Sequence, residues 1–183
     1  MGNRDGHRLR VLAAATLAIL LSGLAFAMNR AEASPNQVVA VEGSGTHFFT
    51  TAIIHSQEPT ETGMIQRSSD VVTLTGDLEG HLLYHPTSMF DFVAGTLVNT
   101  GTQIFSGSVL GSEPVILHDD RFVFEVDLNT GATIGKVHLG KSKDAPDQGS
   151  WWVCDLDVTG TGLTAEGDAT FSYTGECTLM GRP

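Results

Sequence analysis

Three side chains capable of acid–base chemistry occupy alternate positions in residues 71–85, namely Asp77, Glu79 and His81. On a β-strand this spacing places all three on one face, with neighbours about 6.6 Å apart. A carboxylate at that distance can orient the imidazole or contact the same ligand, and an apolar lumen would raise its pKa. We therefore take them as candidate catalytic residues if this face lines a cavity. If it faces water, which the apolar character of the opposite face favours, they form an ordinary solvated surface.

His81 and His85 form an H-x-x-x-H pattern. On a helix this spacing can bind a metal ion, but on a strand the two residues lie about 13 Å apart. No single ion spans that distance, so we predict no metal site. The chain also lacks a G-x-S-x-G, a P-loop and a dinucleotide-binding glycine motif, and we expect no cofactor.

The segment that carries these residues also has an apolar face. The residues on this face are Val72, Leu74, Gly76, Leu78, Gly80, Leu82 and Tyr84. We interpret residues 71–85 as one strand, about 50 Å long, that can bend at its glycines. Long strands bent at glycine are typical of small closed barrels.

The rest of the chain after residue 37 predicts an all-β fold. Alternating apolar residues recur between turn signals, as at residues 121–128 before an Asn-Thr-Gly turn, and no segment keeps a helical period. A barrel and a sandwich both fit seven to nine such strands, and abundant glycine favours the barrel. We predict a single antiparallel eight-stranded β-barrel over residues 38–183. Polar residues 56–69 and 141–149 are expected to be loops, and residues 86–92 a helical turn or flap.

The aromatic residues share the predicted inner faces and are candidate ligand-binding residues. They are Tyr84, Phe122, Phe124, Trp152, Phe171 and Tyr173. Such side chains either fill a core or, in a barrel too wide to fill, form the walls of a pocket. Either Tyr84 or Tyr173 could then offer a hydroxyl to a polar group of the ligand.

The two cysteines, Cys154 and Cys177, lie on apolar faces of consecutive predicted strands. An even number of cysteines in an exported protein predicts one disulfide, and a pair of buried thiols is the alternative. A disulfide between directly paired antiparallel neighbours needs particular geometry.

The N-terminus resembles a secretory signal peptide. Three arginines precede an apolar run at residues 11–27, and Ala31-Glu32-Ala33 fits a cleavage site. We predict a signal peptide over residues 1–33 and a linker over 34–37; an uncleaved anchor is the alternative. Cleavage would remove four basic and two acidic residues and leave a net charge of −13. That charge argues against nucleic acid and anionic membranes as partners and suits a secreted or extracytoplasmic protein.

Short glycine-containing motifs resemble the allene oxide cyclase barrel-like superfamily, especially its small bacterial members of unknown function, and more distantly dirigent proteins. The motifs are Thr75 to Gly80 (TGDLEG), Gly95-Thr96, Phe105 to Val109 (FSGSV), and Gly160 to Leu163 (GTGL) with Gly167. The resemblance implies a calycin-like eight-stranded barrel whose lumen holds hydrophobic or polyunsaturated molecules and sometimes directs their cyclisation. The catalytic glutamate of the plant enzymes has no counterpart here, since Glu42 lies in a different context. Thr164-Ala165-Glu166 also stands where bacterial relatives have another glycine.

Together these observations predict a secreted barrel that binds a hydrophobic small molecule in its lumen. Guidance of cyclisation or isomerisation, without a cofactor, is the activity that the resemblance adds. The alternative is a non-catalytic extracellular binding or structural module whose barrel is packed solid. A homo-oligomer is compatible with either function.

Overall fold

The computed structural model describes residues 36–140 and 151–181. The predicted signal peptide and the predicted loop at 141–149 lie outside this part. In the described residues the chain forms β-strands joined by turns, with one 3-10 helix at Phe49–Thr51. The strands are β1 (Val38–His47), β2 (Ile53–Pro59), β3 (Gly63–Gly76), β4 (Leu78–Asp91), β5 (Thr96–Val109), β6 (Val115–Asp127), β7 (Thr133–Leu139), β8 (Trp151–Leu163) and β9 (Ala169–Met180). The all-β prediction is confirmed.

Eight of these strands close into an antiparallel barrel. The order is β1-β9-β8-β7-β6-β5-β4-β3, and β1 also pairs with the C-terminal half of β3. The additional strand, β2, pairs with the N-terminal half of β3, beyond the point where β1 ends. The predicted eight-stranded barrel is therefore confirmed, with β2 as an extension of its wall. No helix in the described residues is long and apolar enough to cross a membrane.

The prediction of one continuous strand over residues 71–85 is wrong. The chain turns between β3 and β4, so that Leu74 pairs with Gly80, and Gly76 adopts a φ of +107° that favours glycine. Because Leu74 and Gly80 are direct partners, the even-numbered residues of both strands lie on the same face of the sheet. The alternation of apolar residues therefore continues unchanged through the turn. The predicted apolar face is accordingly buried at Val72, Leu74, Leu78, Leu82 and Tyr84. A period of two cannot distinguish one strand from a tight hairpin with this register.

Two further segment predictions are also wrong. Residues 56–69, expected to be a loop, contain the end of β2 and the start of β3. Residues 86–92, expected to be a helical turn or flap, continue β4 as far as Asp91. Both segments carry polar residues on the face that turns inward, including the buried side chains of Ser68 and Ser88. The apolar alternation that marks a half-buried strand is therefore missing from them.

Close packing fills the end of the barrel where β3 turns into β4. Leu78, Phe105, Val109 and Leu139 are 0% exposed there. The hydroxyl of Tyr173 accepts a hydrogen bond from the Leu78 backbone N–H at 2.9 Å and lies 3.2 Å from two backbone carbonyl oxygens. Gly43 makes room for this ring, because a Cβ at that position would overlap it. This closed end is a solid core.

The predicted disulfide joins Cys154 of β8 to Cys177 of β9, with an S–S distance of 2.02 Å. The two residues are direct cross-strand partners whose Cα atoms lie 4.1 Å apart. Close, non-hydrogen-bonded antiparallel pairs have this kind of separation. Both cysteines are fully buried in the core.

Candidate functional site

The other end of the barrel holds a cavity of about 420 Å³. Pockets of a few hundred Å³ are typical of small-molecule sites. Phe49, Ile54 and Leu163 line the cavity and are also 44%, 46% and 67% exposed, so the cavity has an apolar mouth. The barrel is thus solid at one end and hollow at the other.

Strands β6 to β9 give the cavity an apolar wall. Its members are Phe124, Val126, Val137, Leu156, Val158 and Phe171. Gly135, the cross-strand partner of Phe124, makes room for the Phe124 ring, because a Cβ at that position would overlap it. A ligand body against this wall would be held by burial of apolar surface alone.

Strands β3 to β5 give the cavity a polar wall. In one row Asp70 pairs with Tyr84, and Tyr84 pairs with Gln103; in a second row Gln66, Ser88 and Asn99 are partners. All of these residues line the cavity. Antiparallel partners on one face lie side by side, so each row brings together polar groups from three strands. Pro86, which also lines the cavity, lies between the two rows on β4.

Asp70 is the carboxylate of this wall, and its side chain is 3% exposed. Its Oδ2 atom lies 3.1 Å from Nε2 of His47 and accepts a hydrogen bond from the Ser68 hydroxyl at 3.4 Å. His47 also lines the cavity and is 21% exposed. A carboxylate that orients an imidazole in this way is a standard acid–base arrangement.

Three buried polar atoms of the cavity wall have no hydrogen-bond partner among the described residues. They are Asp70 Oδ1, Asn99 Oδ1 and Gln103 Nε2. Leaving a buried donor or acceptor unpaired costs about 1–3 kcal/mol, so such atoms are rare in native proteins. Here all three belong to side chains that line one cavity, which is the place where a ligand could supply the missing partners.

Tyr84 occupies the centre of the polar wall. Its ring stacks on Phe122 with centroids 4.1 Å apart, and the ring of His47 meets it edge-on at 4.9 Å. Burial raises the pKa of the Tyr84 hydroxyl well above its usual value, and the nearby charge of Asp70 raises it further. The hydroxyl therefore stays protonated at ordinary pH and can act as a hydrogen-bond donor.

Most of the aromatic residues predicted to bind ligand are at the cavity. Tyr84, Phe124, Phe171 and Tyr173 line it. Phe122 is buried behind Tyr84, and Trp152 is buried in the core, so neither lines the cavity. That these residues bind a ligand stays a prediction.

The candidate catalytic residues Asp77, Glu79 and His81 lie away from the cavity. Asp77 is in the β3–β4 turn, where its carboxylate accepts the Glu42 backbone N–H at 2.9 Å. Glu79 and His81 are exposed on the outer face of β4. The turn breaks the regular spacing on which their grouping depended, and none of the three lines the lumen. This placement agrees with the alternative that the three residues form a solvated surface. It gives no support for a catalytic role.

Four residues of the cavity wall were not predicted from the sequence: His47, Asp70, Asn99 and Gln103. A signal existed for Asp70, because Gln66, Ser68 and Asp70 have the same parity as Val72 on the inner face. Extending the predicted strand from residue 71 towards the N-terminus would have placed these three residues on its inner face. Their polarity suggested a loop instead, since a polar inner face looks like an outer one in sequence.

Comparison of the chain with protein-family models, with curated proteins and with solved structures found no match in any of the three. Nothing in these comparisons links the chain to the allene oxide cyclase superfamily, and that resemblance stays a prediction. Within residues 36–140 and 151–181, no group of three or more His, Cys, Asp or Glu side chains could hold a metal ion.

Proposed function

We propose that this protein is an extracytoplasmic barrel that binds a hydrophobic small molecule in its lumen. The cavity of about 420 Å³ behind an apolar mouth carries the proposal. One wall would hold the apolar body of the guest, and the opposite wall offers buried polar groups to orient it. Pockets that bind small molecules commonly combine apolar lining with a few such groups.

The disulfide supports the location. Disulfides persist in oxidising compartments and are rare in the reducing cytosol. The Cys154–Cys177 bond is compatible with a protein that acts outside the cytoplasm. The strong excess of acidic residues in the sequence also suits such a protein.

The alternative, a module with a solidly packed barrel, has less support from the geometry. In the described residues, solid packing is found at the closed end, around Leu78 and Phe105, and does not extend to the other end. A purely structural barrel has no reason to keep a cavity lined by unpaired polar atoms, because each of them destabilises the fold.

Cyclisation or isomerisation of the guest, which the resemblance implies, would need a group that moves a proton inside the lumen. His47 and Asp70 are the groups placed for that role. Asp77, Glu79 and His81 do not line the cavity. We therefore centre any chemistry of the bound molecule on the His47–Asp70 pair.

Filling the lumen tests the proposal. Val126 lines the cavity, whereas its neighbour Glu125 is exposed on the outer face of β6. In Val126→Trp the indole would occupy guest space, and we expect binding of the neutral fluorophore Nile red to weaken by about tenfold or more. Glu125→Trp adds the same ring outside the barrel and should bind Nile red as the wild type does.

Fluorescence titration measures both affinities, and circular dichroism checks that both variants fold. Equal binding by Val126→Trp and the wild type would place the fluorophore outside the lumen and contradict the proposal. Absence of Nile red binding by the wild type, together with no co-purifying lipophile in native mass spectrometry, would contradict it as well.

A further inference from the structure

We infer that the guest is an apolar amine whose protonated nitrogen binds Asp70. This inference rests on the proposed function, because it names the chemical class of the molecule that the lumen takes. Three features of the cavity support it: the sign of its charges, the geometry of the Asp70 carboxylate, and the aromatic rings around that carboxylate.

The first feature is the charge of the lining. Among the described residues none of those that line the cavity is a lysine or an arginine. Arg67 and Lys136 lie on the outside, where they pair with Glu58 and Asp157. Among the lining residues that the structure describes, His47 is therefore the only charge partner of Asp70. A guest with a carboxylate would bring a second negative charge next to a buried one, which is strongly unfavourable.

The second feature is that the two carboxylate oxygens of Asp70 differ in their hydrogen-bond partners. His47 and Ser68 both contact Oδ2, and these contacts fix the orientation of the carboxylate. Oδ1 has no partner among the described residues. A protonated amine is a better partner for this atom than a neutral donor, because the attraction between opposite charges, which is strong at a site shielded from water, adds to the hydrogen bond.

The third feature is the set of rings. Tyr84 and Phe124 line the cavity with their centroids 6.4 Å apart, and the Tyr84 ring lies beside Asp70 in the β3–β4 register. Aromatic faces attract cations, and this attraction grows when water is excluded. The rings and the carboxylate thus favour the same head group.

The two other unpaired atoms refine the description of the guest. Asn99 Oδ1 is a second acceptor, but Asn99 lies four residues from Gln103 on β5, about 13 Å along the strand from the row that contains Asp70, so it would pair with a donor farther along the guest. Gln103 Nε2 is a donor, so it needs an acceptor. A hydroxyl or carbonyl oxygen close to the nitrogen would complete the set, as in an amino alcohol or an amino ketone.

Three lipophiles with one apolar body and different heads test the inference: dodecylamine, dodecanol and dodecanoic acid, used at neutral pH and below the concentration at which they aggregate. Displacement of Nile red from the wild type should rank the amine first, with an affinity about tenfold or more above that of the acid. Asp70→Asn keeps the side-chain shape but removes the charge. We expect it to lower the affinity for the amine by about tenfold while the affinity for the alcohol changes by less than about twofold.

Asp155→Asn is the matched control. Asp155 also pairs with a histidine, at 2.8 Å from Nδ1 of His138, but its side chain is 78% exposed on the outer surface. This variant should keep the full preference for the amine. Val126→Trp should weaken the binding of all three lipophiles, which separates lumen binding from attraction of the amine to the acidic surface.

The results distinguish this inference from the proposed function. If dodecanol binds in the lumen but the acid binds as well as the amine, the inference is overturned and the proposed function stands. Equal losses in Asp70→Asn and Asp155→Asn would also overturn it. If none of the three binds the wild type, both fail. Should Asp70→Asn not fold, the wild-type ranking of amine and acid still decides the question.

Discussion

At the scale of single residues, a buried carboxylate outside the cavity shows how the barrel satisfies an internal charge. Asp120 of β6 is 0% exposed, and its two oxygens accept the backbone N–H groups of Phe105 at 3.0 Å and Gly140 at 2.7 Å. It does so where the β5–β6 register shifts between Gln103 and Phe105. Burial raises the pKa of Asp120 to about 6, because the cost of desolvation exceeds the gain from these hydrogen bonds.

This shift predicts that stability falls as the pH rises from about 4 to about 6. In that window the folded state holds a proton on Asp120 that the unfolded state has released, so raising the pH favours unfolding, by up to about 3 kcal/mol. Asp120→Asn should lose this slope in chemical denaturation measured at several pH values. Asp127→Asn should retain it, because backbone hydrogen bonds from Asn129 and Thr130 lower the pKa of that exposed carboxyl instead. A slope that is the same in Asp120→Asn and the wild type would assign the effect to other groups.

At the scale of elements, the mouth of the cavity depends on the short connection between β1 and β2. The 3-10 helix Phe49–Thr51 places Phe49 at the opening. It is tied to the start of β9 by Asp168, whose Oδ1 accepts the Thr50 backbone N–H at 3.0 Å and the Thr50 hydroxyl at 2.6 Å. Asp168 is 5% exposed whereas Thr50 is exposed, so these bonds are partly shielded from water.

Asp168→Ala should release this connection. We expect a loss of about 1–3 kcal/mol in the free energy of unfolding, because the Thr50 donors lose their partner. Backbone amides at 49–51 should also exchange hydrogen faster than in the wild type, as measured by mass spectrometry. Glu166→Ala changes an exposed carboxylate in the same turn and should leave both quantities unchanged. Unchanged exchange in Asp168→Ala would show that other contacts hold the mouth.

The elements also show what the sequence could and could not predict. Alternation at Phe122, Phe124, Trp152 and Tyr173 predicted strands and inner faces, because apolar side chains must avoid water. It could not predict where the polar residues point: Asp70 faces the lumen and Asp77 does not. Burial of a polar residue depends on partners such as His47, which is 23 residues away in the chain. Local pattern carries no information about such partners.

At the scale of the whole molecule, the disulfide couples two strands within the solid end. Its residues are separated by 23 positions, and closing such a loop stabilises a fold by roughly 3 kcal/mol in the chain-entropy model. The double variant Cys154→Ala, Cys177→Ala should lose about this free energy in chemical denaturation. Thr159→Ala with Ser172→Ala alters a directly paired couple on the same two strands and should cost much less. A similar loss in both double variants would mean that the covalent bond adds little.

The closure of the barrel has a consequence for its folding. The ring of strands is completed only when β9 pairs with β1, from Val38 opposite Thr178 to His47 opposite Ala169. Contacts between segments so distant in sequence form slowly, and until they form, the edges of β9 and β1 are unpaired and can pair with other chains. The lumen therefore does not exist before β9 has paired with β1. A guest therefore cannot template the early steps of folding, and the exposed strand edges make the unclosed chain prone to aggregation.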